Sequence, residues 1–200
     1  MITLLARCIS LIANPVFLLI PVPYLLVVRE TGDPMYAIKW TVLSLFFVFL
    51  IGLSVVIAVR KGYFANLDVS KREQRPLLFL IVGGISILYY FCLVIFEGPI
   101  VLFITLAAIL FSVLVFSFIN TRIKASIHVA TMSALIFSLS ILYSGKFLLL
   151  LILIPIIGWS RLHIKRHTMK EMLVGGITGI LVTLLFYIVF KLVLGISVSV

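Results

Sequence analysis

"LLLLILIPIIGWSRLHIKRHTMKEMLVGGITGILVTLLFYIVF", residues 148–190, decides how this chain folds. Two apolar runs flank the polar stretch 160–171, which holds Arg161, Lys165, Arg166, Lys170, His163, His167 and Glu171. The run that follows approaches the roughly 20 apolar residues a helix needs to cross a hydrocarbon core. Lipid offers backbone N–H and C=O groups no partner, so a spanning run must be helical. The polar insert therefore reads as a loop where the chain turns at a membrane face.

The rest of the chain repeats this pattern. Of 200 residues 64% are hydrophobic and 11% charged, with mean hydropathy +1.38, whereas about a quarter of a soluble domain is charged. The class is an all-α, polytopic transmembrane helical bundle in a single membrane domain. Spans are expected near 4–28, 37–59, 77–96, 99–119, 127–144, 147–159 and 172–195, giving seven, or six if the first run is partly interfacial. Pro15, Pro21 and Pro23 predict a kink or break in the first run. The sixth run is expected to be short. No soluble domain, low-complexity tail or internal repeat stands out. The first run is as long as the others and no small-residue cleavage site follows it, so no cleavable signal peptide is expected. Cys8 and Cys92 lie in apolar runs and read as small packing residues, not as a disulfide or a metal pair.

The net charge of +10 comes from 16 Lys and Arg against 6 acidic residues. In an apolar chain this excess is expected to face anionic lipid or a phosphate, not nucleic acid. If the spans alternate, loops 60–76, 120–126 and 160–171 all fall on the face where the chain starts. That face carries Arg7, Arg60, Lys61, Lys71, Arg72, Arg75, Arg122, Lys124, Arg161, Lys165, Arg166 and Lys170; the other carries Arg29, Lys39, Lys146 and Lys191. Positive loops tend to stay cytoplasmic. This predicts a multi-pass protein of the cell membrane with its polar loops on the cytoplasmic face.

Those loops hold residues suited to phosphoryl chemistry. His167 and Glu171 stand four apart, so on a helix the carboxylate reaches one ring nitrogen and leaves the other to attack. Arg161 supplies a guanidinium that matches phosphate oxygens. His128 is placed to protonate a leaving oxygen. In "NLDVSKREQRPLLF", residues 66–79, Pro76 suits the first turn of a helix, and Lys71 and Arg72 share a face with Arg75 if the stretch is helical. In "NTRIKASIHVA", residues 120–130, Ser126 and His128 flank the start of a span.

Three motifs at 66–76, 124–128 and 160–171 together resemble the type 2 phosphatidic acid phosphatase superfamily, whose fold is shared with vanadium haloperoxidases. The family's motifs are K-x6-R-P, P-S-G-H and S-R-x5-H-x3-D. Ser160-Arg161, His167 and Glu171 fit the third with Glu for Asp, Ser126 and His128 keep two residues of the second, and Arg75-Pro76 ends the first. The resemblance implies that His167 is the nucleophile, forming a phosphohistidine, that Glu171 orients it and that His128 is the general acid. It implies that Arg75, Arg161 and Ser126 hold the phosphate. The motif lysine is replaced by Asp68, leaving Lys71, Arg72 or Lys124 to supply that charge, and Ile127 replaces the motif glycine.

The implied function is metal-independent hydrolysis of a lipid phosphate or polyprenyl (di)phosphate, with no cofactor. Phosphatidic acid, phosphatidylglycerophosphate and polyprenyl phosphates are all suitable substrates. The expected partners are that substrate and the bilayer, with no nucleic acid and no obligatory protein partner. A non-enzymatic scaffold or transporter that keeps the fold is the alternative. A UbiA-type prenyltransferase is a lesser one, because Glu30, Asp33, Asp68, Glu73, Glu97 and Glu171 do not form two magnesium-binding clusters. Many members of the resembled family work on the extracytoplasmic face, the orientation opposite to that favoured by the charge count.

Plainer roles compete for several residues. Arg60, Lys61, Lys165, Arg166 and Lys170 suit topology anchors, and His163 a snorkelling cap. Gly175, Gly176 and Gly179 suit close helix packing. Tyr89, Tyr90 and Phe91 suit packing within a span.

Overall fold

The structure, a computed structural model, describes residues 2–194. The last residue of the span expected over 172–195 lies outside the described residues. The helices are α1 (Ile2–Ile12), α2 (Pro15–Leu18), α3 (Val22–Thr31), α4 (Pro34–Arg60), α5 (Arg75–Ile95), α6 (Ile100–Asn120), α7 (Ile127–Leu142), α8 (Leu153–His163) and α9 (Met169–Leu194). Short 3₁₀ segments cover Arg72–Gln74 and Gly145–Ile152, and there is no strand among the described residues.

Proline sets most of these boundaries. Its ring fixes φ and it has no N–H to donate, so it fits where a helix begins and breaks one that is under way. Pro15, Pro34 and Pro76 open α2, α4 and α5, Pro21 and Pro99 precede α3 and α6, and Pro23 and Pro155 lie in first turns. The break expected in the first apolar run is therefore present as three short helices.

Five helical runs are long and apolar enough to cross a membrane, with a sixth if the broken first run counts as one crossing. The expected span over 127–144 is α7, which has only 16 residues. At 1.5 Å per residue it rises about 24 Å, short of a hydrocarbon core of about 30 Å. The apolar sequence continues, but Ser144 adopts an extended conformation (φ −167°) and its hydroxyl accepts the Lys146 N–H, which ends the helix. The sixth run is longer than expected: Gly145–His163 is a helical stretch of 19 residues. It takes Ser160 and Arg161 out of the loop and into the last turns of α8.

The chain forms two compact units, Met1–Leu18 with Ile123–Val200, and Leu19–Arg122. In the second, α3 lies along α4 and α5 along α6, around Val27, Ala37, Trp40, Leu93, Leu102 and Leu106. Carboxylates cap two of its helices. Asp33 accepts the N–H groups of Met35 and Tyr36 at the start of α4 (2.9 and 3.0 Å). Glu30 accepts those of Ile100 and Val101 at the start of α6 (both 3.2 Å). Both satisfy donors that a helix start leaves unpaired. At the far end of α6, Asn120 donates to the Arg72 carbonyl (3.1 Å) and Arg72 to the Arg122 carbonyl (3.2 Å). The start of α5 and the end of α6 thus lie together. Tyr89 packs on the Phe47 ring and shares a hydrogen bond with the Ser44 hydroxyl (2.6 Å), the packing role expected of it.

In the first unit α7 and α9 pack closely. A Cβ on Gly175 would overlap the Ser126 backbone, and one on Gly179 the Ala130 carbonyl. These glycines serve close approach, as expected. Ala13, Val129, Met132, Ile136, Ile157 and Met172 form the core. α1 packs on α8 through a narrow small-residue face, Ala6 and Ser10. Cys8 is exposed instead of packed, because it lies off that face, and Cys92 is half-buried; both are free thiols.

Candidate functional site

The histidine of the third motif sits in a loop whose shape is set by helix ends. α8 terminates in a Schellman turn: the Arg166 N–H bonds to the Arg161 carbonyl (3.0 Å) and the Lys165 N–H to that of Leu162 (2.9 Å). Lys165 takes the left-handed conformation there (φ +54°), where glycine is usual. The reversal delivers His167 directly to the start of α9.

There Thr168 and Glu171 form a capping box. The Thr168 N–H donates to Glu171 Oε2 (3.1 Å), and the Glu171 N–H donates to Thr168 Oγ1 (3.3 Å). The same Oε2 lies 2.9 Å from His167 Nδ1. A carboxylate only accepts, so Nδ1 carries the proton, and in the neutral imidazole Nε2 keeps the lone pair. Glu171, a methylene longer than the motif aspartate, thus caps the helix and orients the imidazole together. The capping signature T-x-x-E was readable in the sequence; the role of Thr168 was missed.

The start of α7 meets this turn. The Ser126 N–H donates to the Glu171 carbonyl (3.0 Å) and Lys124 Nζ to the Arg166 carbonyl (2.8 Å). His128 is two residues further, in the first turn of α7. α7 and the return through α8 are thus an out-and-back excursion, and loops 123–126 and 164–168 meet at one end of the unit. Lys124, expected on the phosphate, spends its ammonium on the loop that carries His167.

The cluster is buried. Ser126 and Ser160 are 0% exposed, Arg161 1%, His128 6% and His167 7%. An Arg161 guanidinium N–H donates to the Ser10 hydroxyl of α1, a partner 151 residues away that no sequence signal marks. The hydroxyls of Ser126 and Ser160 have no hydrogen-bond partner among the described residues. Loop 123–126 and the stretch 160–171 carry five basic residues (Lys124, Arg161, Lys165, Arg166 and Lys170) against one acidic residue, Glu171. His163, outside the cluster, stacks on Trp159 and pairs with the Thr3 hydroxyl (3.3 Å), consistent with an interfacial cap.

Arg75 and Lys71 belong to the other unit. Arg75 is buried at the first position of α5. Lys71 is extended and exposed, and Arg72 lies in the 3₁₀ turn. The helical face expected to join Lys71 and Arg72 to Arg75 is therefore present for Arg72, whose 3₁₀ turn runs into α5, and absent for the extended Lys71. Within the first unit the structure joins Lys124, Ser126, His167 and Glu171 through hydrogen bonds, with His128 two residues past Ser126 and Arg161 in the last turns of α8. No family model, curated protein or solved structure matches this chain.

Proposed function

We propose that this chain is an integral membrane phosphatase acting on a lipid phosphate or polyprenyl (di)phosphate through a phosphohistidine. The observation that carries the reading is the His167–Glu171 pair, 2.9 Å apart, in a buried, cation-rich cluster. In the proposed reaction His167 Nε2 attacks phosphorus, the ester P–O bond breaks, and His128 gives its proton to the leaving oxygen. Water then attacks the phosphohistidine, His128 takes its proton, and phosphate leaves with Nε2 regenerated. Arg161 and the Ser126 hydroxyl neutralise and orient the phosphoryl oxygens. A lipid substrate suits a protein whose polar loops border apolar spans.

The test is phosphate release by purified protein in detergent, with EDTA present, over a panel of lipid phosphates and diphosphates. Release that disappears in both His167→Ala and His128→Ala supports the reading. Release that survives His167→Ala overturns it. Arg75→Ala, assayed separately, tells whether the second unit contributes to phosphate binding.

A non-enzymatic role is the second reading, favoured by two observations. The capping box gives Glu171 a structural reason to lie beside His167. The near-complete burial of both histidines restricts a substrate's approach. Folded protein that releases phosphate from no lipid in the panel supports this role.

A further inference from the structure

In the second unit, a groove of about 330 Å³ runs between the end of α4 and the start of α5. Its walls are apolar: Ile57 and Ala58 on one side, Leu77 and Ile81 on the other. Ser54, about two turns inside α4, also lines the groove, its hydroxyl donating to the Leu50 carbonyl (2.8 Å). From Ser54 to Lys61 the helix rises about 10 Å. At the mouth are Lys61 and Tyr63, both exposed. Their placement is built. α4 ends with Gly62 left-handed (φ +79°), its N–H on the Val59 carbonyl (3.1 Å) and the Tyr63 N–H on that of Ala58 (2.9 Å). This turn buries Phe64 and leaves Tyr63 at the rim. The loop from Arg60 to Gln74 carries Arg60, Lys61, Lys71 and Arg72 against Asp68 and Glu73. The groove is thus an apolar slot at the polar end of two spans, with an ammonium and a phenol at its mouth and a cationic surround.

We propose that this groove binds an anionic phospholipid, with the headgroup phosphate at Lys61 and Tyr63 and one acyl chain along the α4–α5 slot. A basic rim beside apolar helices selects anionic over zwitterionic headgroups. The slot explains why a whole lipid binds in preference to a free anion. This site is independent of the His167 cluster.

Native mass spectrometry of the full chain in detergent, titrated with dioleoyl phosphatidylglycerol or dioleoyl phosphatidylcholine, tests it. Phosphatidylglycerol carries a phosphodiester, so the proposed phosphomonoester chemistry does not consume it. Tighter binding of phosphatidylglycerol is expected in the unaltered protein. Lys61→Gln should weaken it by about fivefold, towards the phosphatidylcholine value. Lys39→Gln, at the opposite end of α4, should leave it unchanged. Leu77→Trp, which fills the slot, should weaken both lipids. Thermal unfolding checks that each variant is folded. Equal affinity for the two lipids, a preference that survives Lys61→Gln, or undiminished binding by Leu77→Trp would overturn the proposal.

Discussion

Glu171 makes three connections at once: its carboxylate caps α9, the same oxygen holds His167 Nδ1, and its carbonyl anchors Ser126. The carboxylate's two duties can be separated. Glutamine also serves in a capping box, but it removes the anion that steadies an imidazolium. Glu171→Gln is expected to fold and melt like the parent and to lower kcat on the order of 10³–10⁴-fold. Unchanged phosphate release, measured beside a thermal melt, would leave Glu171 as a cap alone. The proposed mechanism also predicts a pH-dependent rate. On the acid side His167 Nε2 takes a proton and stops attacking; on the alkaline side His128 has no proton to give. A bell-shaped profile of kcat against pH is expected, and a flat one from about pH 5 to 9 would contradict both assignments. Lys165 stores strain in its left-handed turn. Lys165→Gly should relieve it and raise stability by roughly 1 kcal/mol, read as an upward shift in the unfolding midpoint.

At the scale of elements, the α7–α9 contact decides whether the cluster assembles. α7 is too short to span and is held by α9, along which Gly175 and Gly179 admit the backbone of Ser126 and Ala130. A methyl group at either position meets a main-chain carbonyl, which cannot move aside without shifting the start of α7. Gly175→Ala and Gly179→Ala are each expected to destabilise by about 1–3 kcal/mol. Gly175→Ala should also impair phosphate release in the protein that remains folded, because Ser126 sits at the contact. Gly52→Ala on α4, where a Cβ meets open space, is the matched control expected to do neither. Out-and-back pairing recurs in both units, α5 with α6 and α7 with α8. This is why polar loops distant in sequence meet within each unit.

For the whole molecule, the charge count makes a definite topological prediction. Within the second unit, where α4, α5 and α6 are all long enough to cross, the end with Arg60, Lys61, Lys71, Arg72, Arg75 and Arg122 should be cytoplasmic, six cations against Arg29 and Lys39 at the other end. In a background of Cys8→Ala and Cys92→Ala, an impermeant thiol reagent applied to intact cells should label Met35→Cys and spare Lys71→Cys. The reverse pattern would put the loops outside. Both probe positions are exposed, so reagent access reports sidedness and not burial.

The sequence by itself determined the helical class, because an apolar backbone in lipid has no other way to pair its amides. It marked the helix starts through proline, and it marked the pair His167 and Glu171 through its spacing, although His167 stands just before α9 and the capping box, not a shared helix, brings the two together. The count of crossings was not legible there. The run expected to span over 127–144 is helical only to Leu142, 16 residues, and stops just before the extended Ser144. Nor did spacing foretell that Lys71 stays outside the helix of Arg75, that Lys124 holds the Arg166 carbonyl, or that Ser10 receives Arg161. Those were decided by tertiary structure alone. A long cation reaches whichever acceptor the packed backbone brings near, and which carbonyl or hydroxyl that is depends on segments far apart in the chain.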